Sequence, residues 1–232
     1  KYIRMKRCLF FIFFLYMIHV YSKPNKPVPS LSLTQLKNVF QNSYSIGLEI
    51  SDNTIKENAL INILALDVTD TISVYNLLDF YFKNNSYLKS FLLSKKYLED
   101  NRYNIKLLDY NAKSAEMIDR YADAKAGYQK LYIFTSDTYY AYLDAYAEYM
   151  LGNFESSLLK VYQLENNSDT KIRYVSFSLD DDKSQDIVVY AAIYYLKGLI
   201  LEKLNKSDES QLSFQKAIEI QPDFISARNQ IK

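Results

Sequence analysis

The sequence predicts an all-α fold of helix–turn–helix units with one inserted β-hairpin. Three observations carry this reading. Glycine and proline number only four each in 232 residues, while Ala, Leu, Lys, Glu and Tyr are abundant; such a composition favours helices joined by short turns. The stretch AAIYYLKGLILEKLNKSDESQLSFQKAIEIQP (191–222) reads as two amphipathic helices about a turn at Asn205–Asp208, stopped by Pro222. One segment breaks the pattern. In KIRYVSFSLDDDKSQDIVV (171–189), Arg173, Val175, Phe177 and Leu179 alternate with other residues, DDDK is turn-like, and IVV follows. A period of two around a polar turn is the pattern of a β-hairpin.

The first element is a secretory signal. KYIRMKR carries four positive charges and no acid, and CLFFIFFLYMIHVY supplies fourteen mostly apolar residues (8–21). Ser22 follows, with Val20 two before it, so cleavage is expected after Ser22. Met5 is a candidate start. The competing reading is an uncleaved anchor, but a transmembrane helix needs about 20 residues. Three of the four prolines, Pro24, Pro27 and Pro29, make residues 23–30 an extended spacer. The expected location is therefore periplasmic or secreted, without stable membrane insertion after cleavage. Cleavage would remove the lone Cys8 and the lone His19. It also takes four of the 28 basic residues and none of the 27 acids, which leaves a net charge of −3. Such a chain has no electrostatic footprint for nucleic acid or for an anionic membrane surface.

The remaining elements follow one frame. Counting Ala191 as position 1, Gly198 stands at 8, Phe214 at 24, Ala217 at 27 and Pro222 at 32. LGNFESSL (151–158) sets an upstream frame beginning at Thr138, with Ala145 at 8, Gly152 at 15, Phe154 at 17, Ser157 at 20 and Val161 at 24. A frame from Ile105 has Ala112 at 8, Tyr121 at 17, Ala124 at 20, Tyr128 at 24 and Leu131 at 27; one from Thr71 has Tyr87 at 17 and Ser90 at 20. The starts 71, 105 and 138 are 34 and 33 residues apart. Small residues at 8, 20 and 27 let two helices approach, and large ones at 24 fill the gap to the next unit. This pattern resembles the tetratricopeptide repeat, a 34-residue helix–turn–helix. The resemblance covers about 70–230 and implies a right-handed α-α solenoid over 71–232, interrupted by the hairpin at 171–189. Residues 31–70 read as an N-terminal helical region, with a degenerate repeat over 37–70 in which NALINILALDVTD is the second helix. Because the hairpin lies outside the frame, joining residue 170 to 190 is expected to leave the helices folded.

The sequence offers little chemistry. Without its His and Cys, the chain lacks the groups for a nucleophilic triad or a cysteine nucleophile. Zinc, haem and copper lose their usual ligands. Four scattered glycines make no phosphate loop. Asp and Glu are plentiful, but no spacing singles out a hydrolytic pair. Asp180–Asp182 lack the Gly and distal Glu of a calcium loop and read as a solvated turn. Asn84, Asn166 and Asn205 each open an Asn-x-Ser sequon at an expected turn, where Asn and Ser belong for conformational reasons. The expectation is a non-enzyme with no cofactor and no metal.

Binding remains. Tyr139, Tyr142, Tyr146 and Tyr149 are spaced 3, 4 and 3 apart, one stripe on one helical face. The stripe is either core or a surface built to grip a partner. In the family resembled, positions 2, 5, 9, 12 and 13 of the first helices face the ligand, which here implies Tyr139, Tyr142, Tyr146, Tyr149 and Met150. Neighbouring repeats would add Ile72, Tyr75, Asp79 and Phe82, then Lys106, Asp109, Lys113 and Glu116, then Tyr195 and Leu199. Tyr offers a large rigid area with one hydroxyl and is enriched in binding hot spots. Against this, Asp144 and Glu148 occupy positions 7 and 11, normally apolar core, so the helix could be rotated and its tyrosines packed. Tyr139 and Tyr142 are read as groove, Tyr146 and Tyr149 stay open between groove and packing, and Tyr121, Tyr128 and Tyr140 are read as packing. The Lys-and-Asn carboxylate clamp of the family's chaperone-tail binders is absent at positions 5 and 9. The function expected is a scaffold that binds a protein or peptide through an aromatic concave groove in the cell envelope. The alternatives are an accessory subunit docking through its hairpin or convex face, or a carbohydrate binder.

Overall fold

The computed structural model describes residues 31–179 and 183–231. The signal-like segment 1–22, the spacer 23–30 and the acidic turn Asp180–Asp182 lie outside the described residues. The chain divides after Asp70 into two compact units.

The first unit is a helical pair, α1 (Leu33–Glu49) and α2 (Asn53–Leu66). Ser32 begins α1 with a capping box: its hydroxyl accepts from the Gln35 N–H at 3.2 Å, and the Gln35 side chain accepts from the Ser32 N–H at 2.9 Å. Ser51 takes the left-handed conformation (φ 57°) in the turn, and the Asp52 carboxylate caps α2 by accepting from the Ile55 N–H at 2.9 Å. Lys37 of α1 reaches Asp67 and Asp70, at 2.7 and 2.8 Å, beyond the end of α2.

The second unit holds α3 (Thr71–Lys83), α4 (Tyr87–Asp100), α5 (Ile105–Glu116), α6 (Tyr121–Thr135), α7 (Thr138–Met150), α8 (Phe154–Glu165), a hairpin, α9 (Val189–Lys203), α10 (Ser207–Ile220) and the four-residue α11 (Ile225–Arg228). Consecutive helices pack on one another, as in an α-solenoid. The frame read from the sequence coincides with the elements. First helices begin at Thr71, Ile105 and Thr138, and all four second helices begin at position 17: Tyr87, Tyr121, Phe154 and Ser207.

The turns repeat in atomic detail. Position 15 is left-handed in every unit: Asn85 (φ 55°), Asp119 (58°), Gly152 (78°) and Asn205 (59°). Only Gly, Asn and Asp enter this region at small cost. The next N–H returns to the carbonyl at position 11, from Ser86 to Tyr81, Arg120 to Ala115, Asn153 to Glu148 and Lys206 to Leu201, at 2.8–2.9 Å. This is the Schellman closure of a helix end. The sequons at Asn84 and Asn205 thus belong to turns, Asn205 with a backbone role of its own.

Close approach within each pair rests on small residues. A Cβ placed on Gly198 would sit 2.4 Å from the Phe214 ring, and one on Gly127 would sit 2.7 Å from the Ala112 Cβ. Ser157 and Ser210, both at position 20, donate across the pair to the carbonyls of Ala145 and Gly198 at position 8 (2.7 and 2.9 Å).

The insert is a two-stranded antiparallel hairpin, β1 (Tyr174–Ser178) and β2 (Ser184–Val188), reached through a 3-10 turn at Ser168–Lys171 and running directly into α9. The alternation is as expected: Val175 is buried and Phe177 half-buried, while Tyr174, Ser176 and Ser178 are exposed. The insert lies outside the repeat frame, but it packs on the helices rather than standing clear of them. Val175 and Ile187 belong to the same buried cluster as Tyr142, Leu143 and Ile193. Phe177 packs edge-on against Phe224 at 4.9 Å and Tyr195 at 5.7 Å. An apolar face two residues wide cannot stay in water beside an open helical surface, so the hairpin folds down upon it.

Among the described residues no helix is long and apolar enough to cross a membrane.

Candidate functional site

The hairpin's position creates a cavity of about 530 Å³. Its floor and one wall come from α5, α6 and α7, through Lys113, Glu116, Tyr128, Tyr139, Tyr142, Leu143 and Tyr146. Phe82 of α3 and Val175 to Ser178 of β1 complete its lining. The size is that of a ligand pocket rather than a packing void.

The tyrosine stripe points into this cavity because the other side of α7 is committed elsewhere. Asp144 and Glu148 are buried, but the helix is not rotated to expose them. They form a polar layer with α6 and α8. Lys160 pairs with Asp144, Gln129 donates to Asp144 at 3.2 Å, Lys125 stands 3.4 Å from Glu148, and Asn153 donates to Glu148 at 2.8 Å. Burial raises the Asp144 carboxyl above its ordinary range against the pull of Lys160. Buried carboxylates survive only with such partners. With that face fixed, 3.6-residue periodicity turns Tyr139, Tyr142 and Tyr146 toward β1.

The stripe divides by depth. Tyr139 and Tyr146 are half-buried at the wall, whereas Tyr142, expected as an exposed groove residue, is only 3 % exposed. It is core and cavity floor together. Burial pushes the phenols of Tyr139, Tyr142 and Tyr146 up, so all three present neutral hydroxyls at neutral pH. Tyr149 does not reach the cavity. It stacks on Tyr146 at 6.5 Å and leans on Phe154 at 5.8 Å, which is a packing role.

Two charges sit among these rings, one turn apart on α5. Lys113 is held by Asp109 at 3.0 Å and lies 5.4 Å from the centre of the Tyr139 ring. Burial opposes its charge, but the Asp109 carboxylate beside it favours the charged form, and its value lies above the ordinary lysine range. Glu116 accepts from the Tyr128 hydroxyl. Burial raises its carboxyl above the ordinary range despite that bond and nearby Lys113. Among the described residues no Lys or Arg forms an ion pair with Glu116.

The other expected groove residues do not converge here. Tyr75 accepts from the Asn104 side chain at 2.8 Å, and Lys106 lies over its ring at 4.2 Å, a separate surface pair. Asp79 pairs with Lys83 at 2.7 Å, and Ile72 and Met150 are exposed. Asp109 stands behind the wall, where Tyr140 donates to it at 3.1 Å. Tyr195 forms a second row behind Phe177, 5.1 Å from Phe224, and Leu199 is half-buried. Residues not foreseen at the cavity are Met117, Leu143, Tyr128 and the β1 strand. Tyr128 does pack as expected, wholly buried, while its hydroxyl orients Glu116. Helical spacing could have suggested Leu143, which lies beside Tyr142. Nothing local in the hairpin states which surface it covers. Among the described residues no group of three or more His, Cys, Asp or Glu is placed to hold a metal ion.

Comparison with known proteins bears on the fold. The tetratricopeptide repeat family matches residues 191–224. A search of curated proteins gave no match. Among solved structures the chain is similar to the crystal structure of MamA protein, with 13 % identity over 86 % of this chain and 98 % of that one and a TM-score of 0.63. It is similar to MamA from Desulfovibrio magneticus RS-1 at 10 % identity, over 84 % and 99 % of the two chains, with a TM-score of 0.61. It is also similar to YrrB, a TPR protein with an unusual peptide-binding site, at 15 % identity, over 82 % and 89 %, with a TM-score of 0.62. The fold is an α-solenoid of tetratricopeptide type with one inserted hairpin.

Proposed function

We propose that the protein is a non-catalytic scaffold that binds a peptide or a peptide segment of a protein in the cavity between α7 and β1. One observation carries the reading: Tyr139, Tyr142 and Tyr146, with Lys113 and Glu116, line a cavity of about 530 Å³ on a repeat fold. Rigid phenols with a few polar groups are the chemistry of peptide recognition rather than of bond cleavage. YrrB, similar in fold, supports a peptide as ligand. In keeping with the signal-like residues 1–22, the reading sets the protein in the cell envelope or outside the cell. A bead-bound peptide library tests it. Wild-type protein should select peptides, and Tyr139→Ala with Tyr146→Ala should lose them at unchanged helicity. Selection that survives both substitutions would move the site elsewhere.

A second reading has its own observation. Leu92, Leu159 and Leu212 stand at the same frame position in three second helices and are 56, 59 and 65 % exposed. Such a ladder suits an accessory subunit that docks by its second helices. Replacing all three with Gln should abolish capture of the partner without touching peptide selection.

A further inference from the structure

The two edges of the hairpin differ. In the β1–β2 register Val175 faces Ile187 and Phe177 faces Gln185. The flanking bonds, from the Val189 N–H to the Arg173 carbonyl and from the Leu179 N–H to the Lys183 carbonyl, are both 2.8 Å. Antiparallel pairs alternate between bonded and non-bonded, so residues 173, 175, 177 and 179 bond to β2, and Ser176 turns its N–H and C=O outward. The outer edge of β2 is closed by one side chain. The Val188 N–H donates to the Gln221 oxygen at 2.9 Å, and the Gln221 amide nitrogen donates to the Asp186 carbonyl at 3.1 Å. Gln221 thereby takes the place of a third strand. The outer edge of β1 has no such partner among the described residues. It is also the edge on the cavity, because the cavity touches residues of both faces of β1 and none of β2.

We propose that the ligand is an extended peptide that joins β1 as a third strand through the Ser176 backbone and places an arginine or lysine side chain against Glu116 and the surrounding phenols. This rests on the peptide-binding reading above and specifies its mode. An open strand edge is a template for main-chain pairing, and pockets beside it select side chains. The charge of the side chain follows from complementarity. Lys113 is already paired with Asp109 at 3.0 Å, whereas Glu116 faces the cavity with only the Tyr128 hydroxyl as a hydrogen-bond partner among the described residues. Tyr139, Tyr142 and Tyr146 supply ring faces, which attract a cation. A cation would reach Glu116 where its carboxyl is already partly withdrawn from solvent, so such a pair is less screened than in bulk water.

The probes are two synthetic decapeptide libraries, random except for one central residue: arginine in the first, uncharged citrulline in the second. The full chain should bind pooled arginine peptides at least about tenfold more tightly, the scale of one charge-assisted hydrogen bond. Glu116→Gln should erase that preference. Selected peptides resynthesised with N-methyl groups on alternate residues should lose binding in one of the two N-methyl registers, a test that leaves the protein unaltered. Ser176→Pro should reproduce that loss, since proline is tolerated on a strand edge whose N–H is unpaired. Equal binding of both libraries, or full binding of peptides in both N-methyl registers, overturns the inference. If Tyr139→Ala still abolishes binding in that case, the cavity reading stands without it. If no peptide of either library binds, both readings fall.

Discussion

The Phe214 ring lies where a methyl group on Gly198 would have to go, 2.4 Å from the position of that Cβ. These are positions 8 and 24 of the last repeat, one on each helix of the pair. The close approach of these two residues sets the spacing of α9 and α10. Gly198→Ala should gain about 1 kcal/mol of helix propensity. Against that, a core that cannot accept a methyl group loses about 1–3 kcal/mol to overpacking, with more where the neighbour is a buried ring. Net destabilisation is expected, read as a lower melting temperature. Phe214→Leu added to Gly198→Ala should recover part of it. A Gly198→Ala protein that melts above wild type would show that the helices separate at no cost.

Tyr139 and Tyr142 differ by three positions and by depth, and their alanine variants should differ accordingly. Tyr142 is 3 % exposed within the central cluster, so truncation should cost about 3–5 kcal/mol. Tyr139 is half-buried at the wall, and its loss should cost on the order of 1 kcal/mol. Denaturant melts of the two variants separate these cases. Equal losses would mean that Tyr139 is core as well and that the cavity wall is a packing surface.

Glu116 gives a dependence on pH with a defined sign. Its folded value lies above the ordinary 4.5 because burial penalises the charged form. The folded state therefore holds the proton more tightly than the unfolded chain. Wild type bears the full penalty above the folded value and is relieved of it as pH falls through that value toward 4.5. Glu116→Gln keeps an acceptor for Tyr128 and carries no charge. It should melt above wild type at pH 7, and the gap should close near pH 4.5. A variant that melts below wild type at pH 7 would show that the carboxylate is stabilised by its surroundings.

The repeat frame was legible in the sequence because its rules are local and steric. Position 15 is left-handed, and Asn85, Asp119, Gly152 and Asn205 occupy it; position 8 is small in three repeats, at Ala112, Ala145 and Gly198, while Leu78 stands there in the first. The candidate site was legible only in part. Periodicity placed Tyr139, Tyr142 and Tyr146 on one face, and family spacing added Phe82, Lys113 and Glu116, all of which meet at the cavity. Depth was not legible, since it depends on which neighbour covers the face. Tyr142 is buried by a core shared with residues from α9 and the hairpin, and Tyr195 is screened by Phe177. Tyr75 and Lys106 satisfy each other on a separate patch. Asp144 and Glu148 argued for a rotated helix because apolar residues usually fill those positions. Lys125 and Lys160 sit one helix away on either side, a pairing that spacing within α7 could not announce.

The hairpin itself yields the last prediction. Joining residue 170 to residue 190 removes Val175 and Ile187, both buried, and strips Phe177 from Phe224 and Tyr195. Each buried aliphatic side chain contributes about 1.5–3 kcal/mol, and the uncovered rings add to the loss. A domain of this size has about 5–15 kcal/mol in all. The deletion should therefore abolish cooperative melting of the α7–α10 region or lower its midpoint by more than about 10 °C, at the usual 2–4 °C per kcal/mol. Ser176→Pro is the control, because it alters the free edge and leaves the inner face and the β1–β2 ladder in place. Its circular dichroism melt should stay close to that of wild type. A deletion that melts like wild type would make the strands an ornament on an independent solenoid, and the cavity would then lose the wall that defines it.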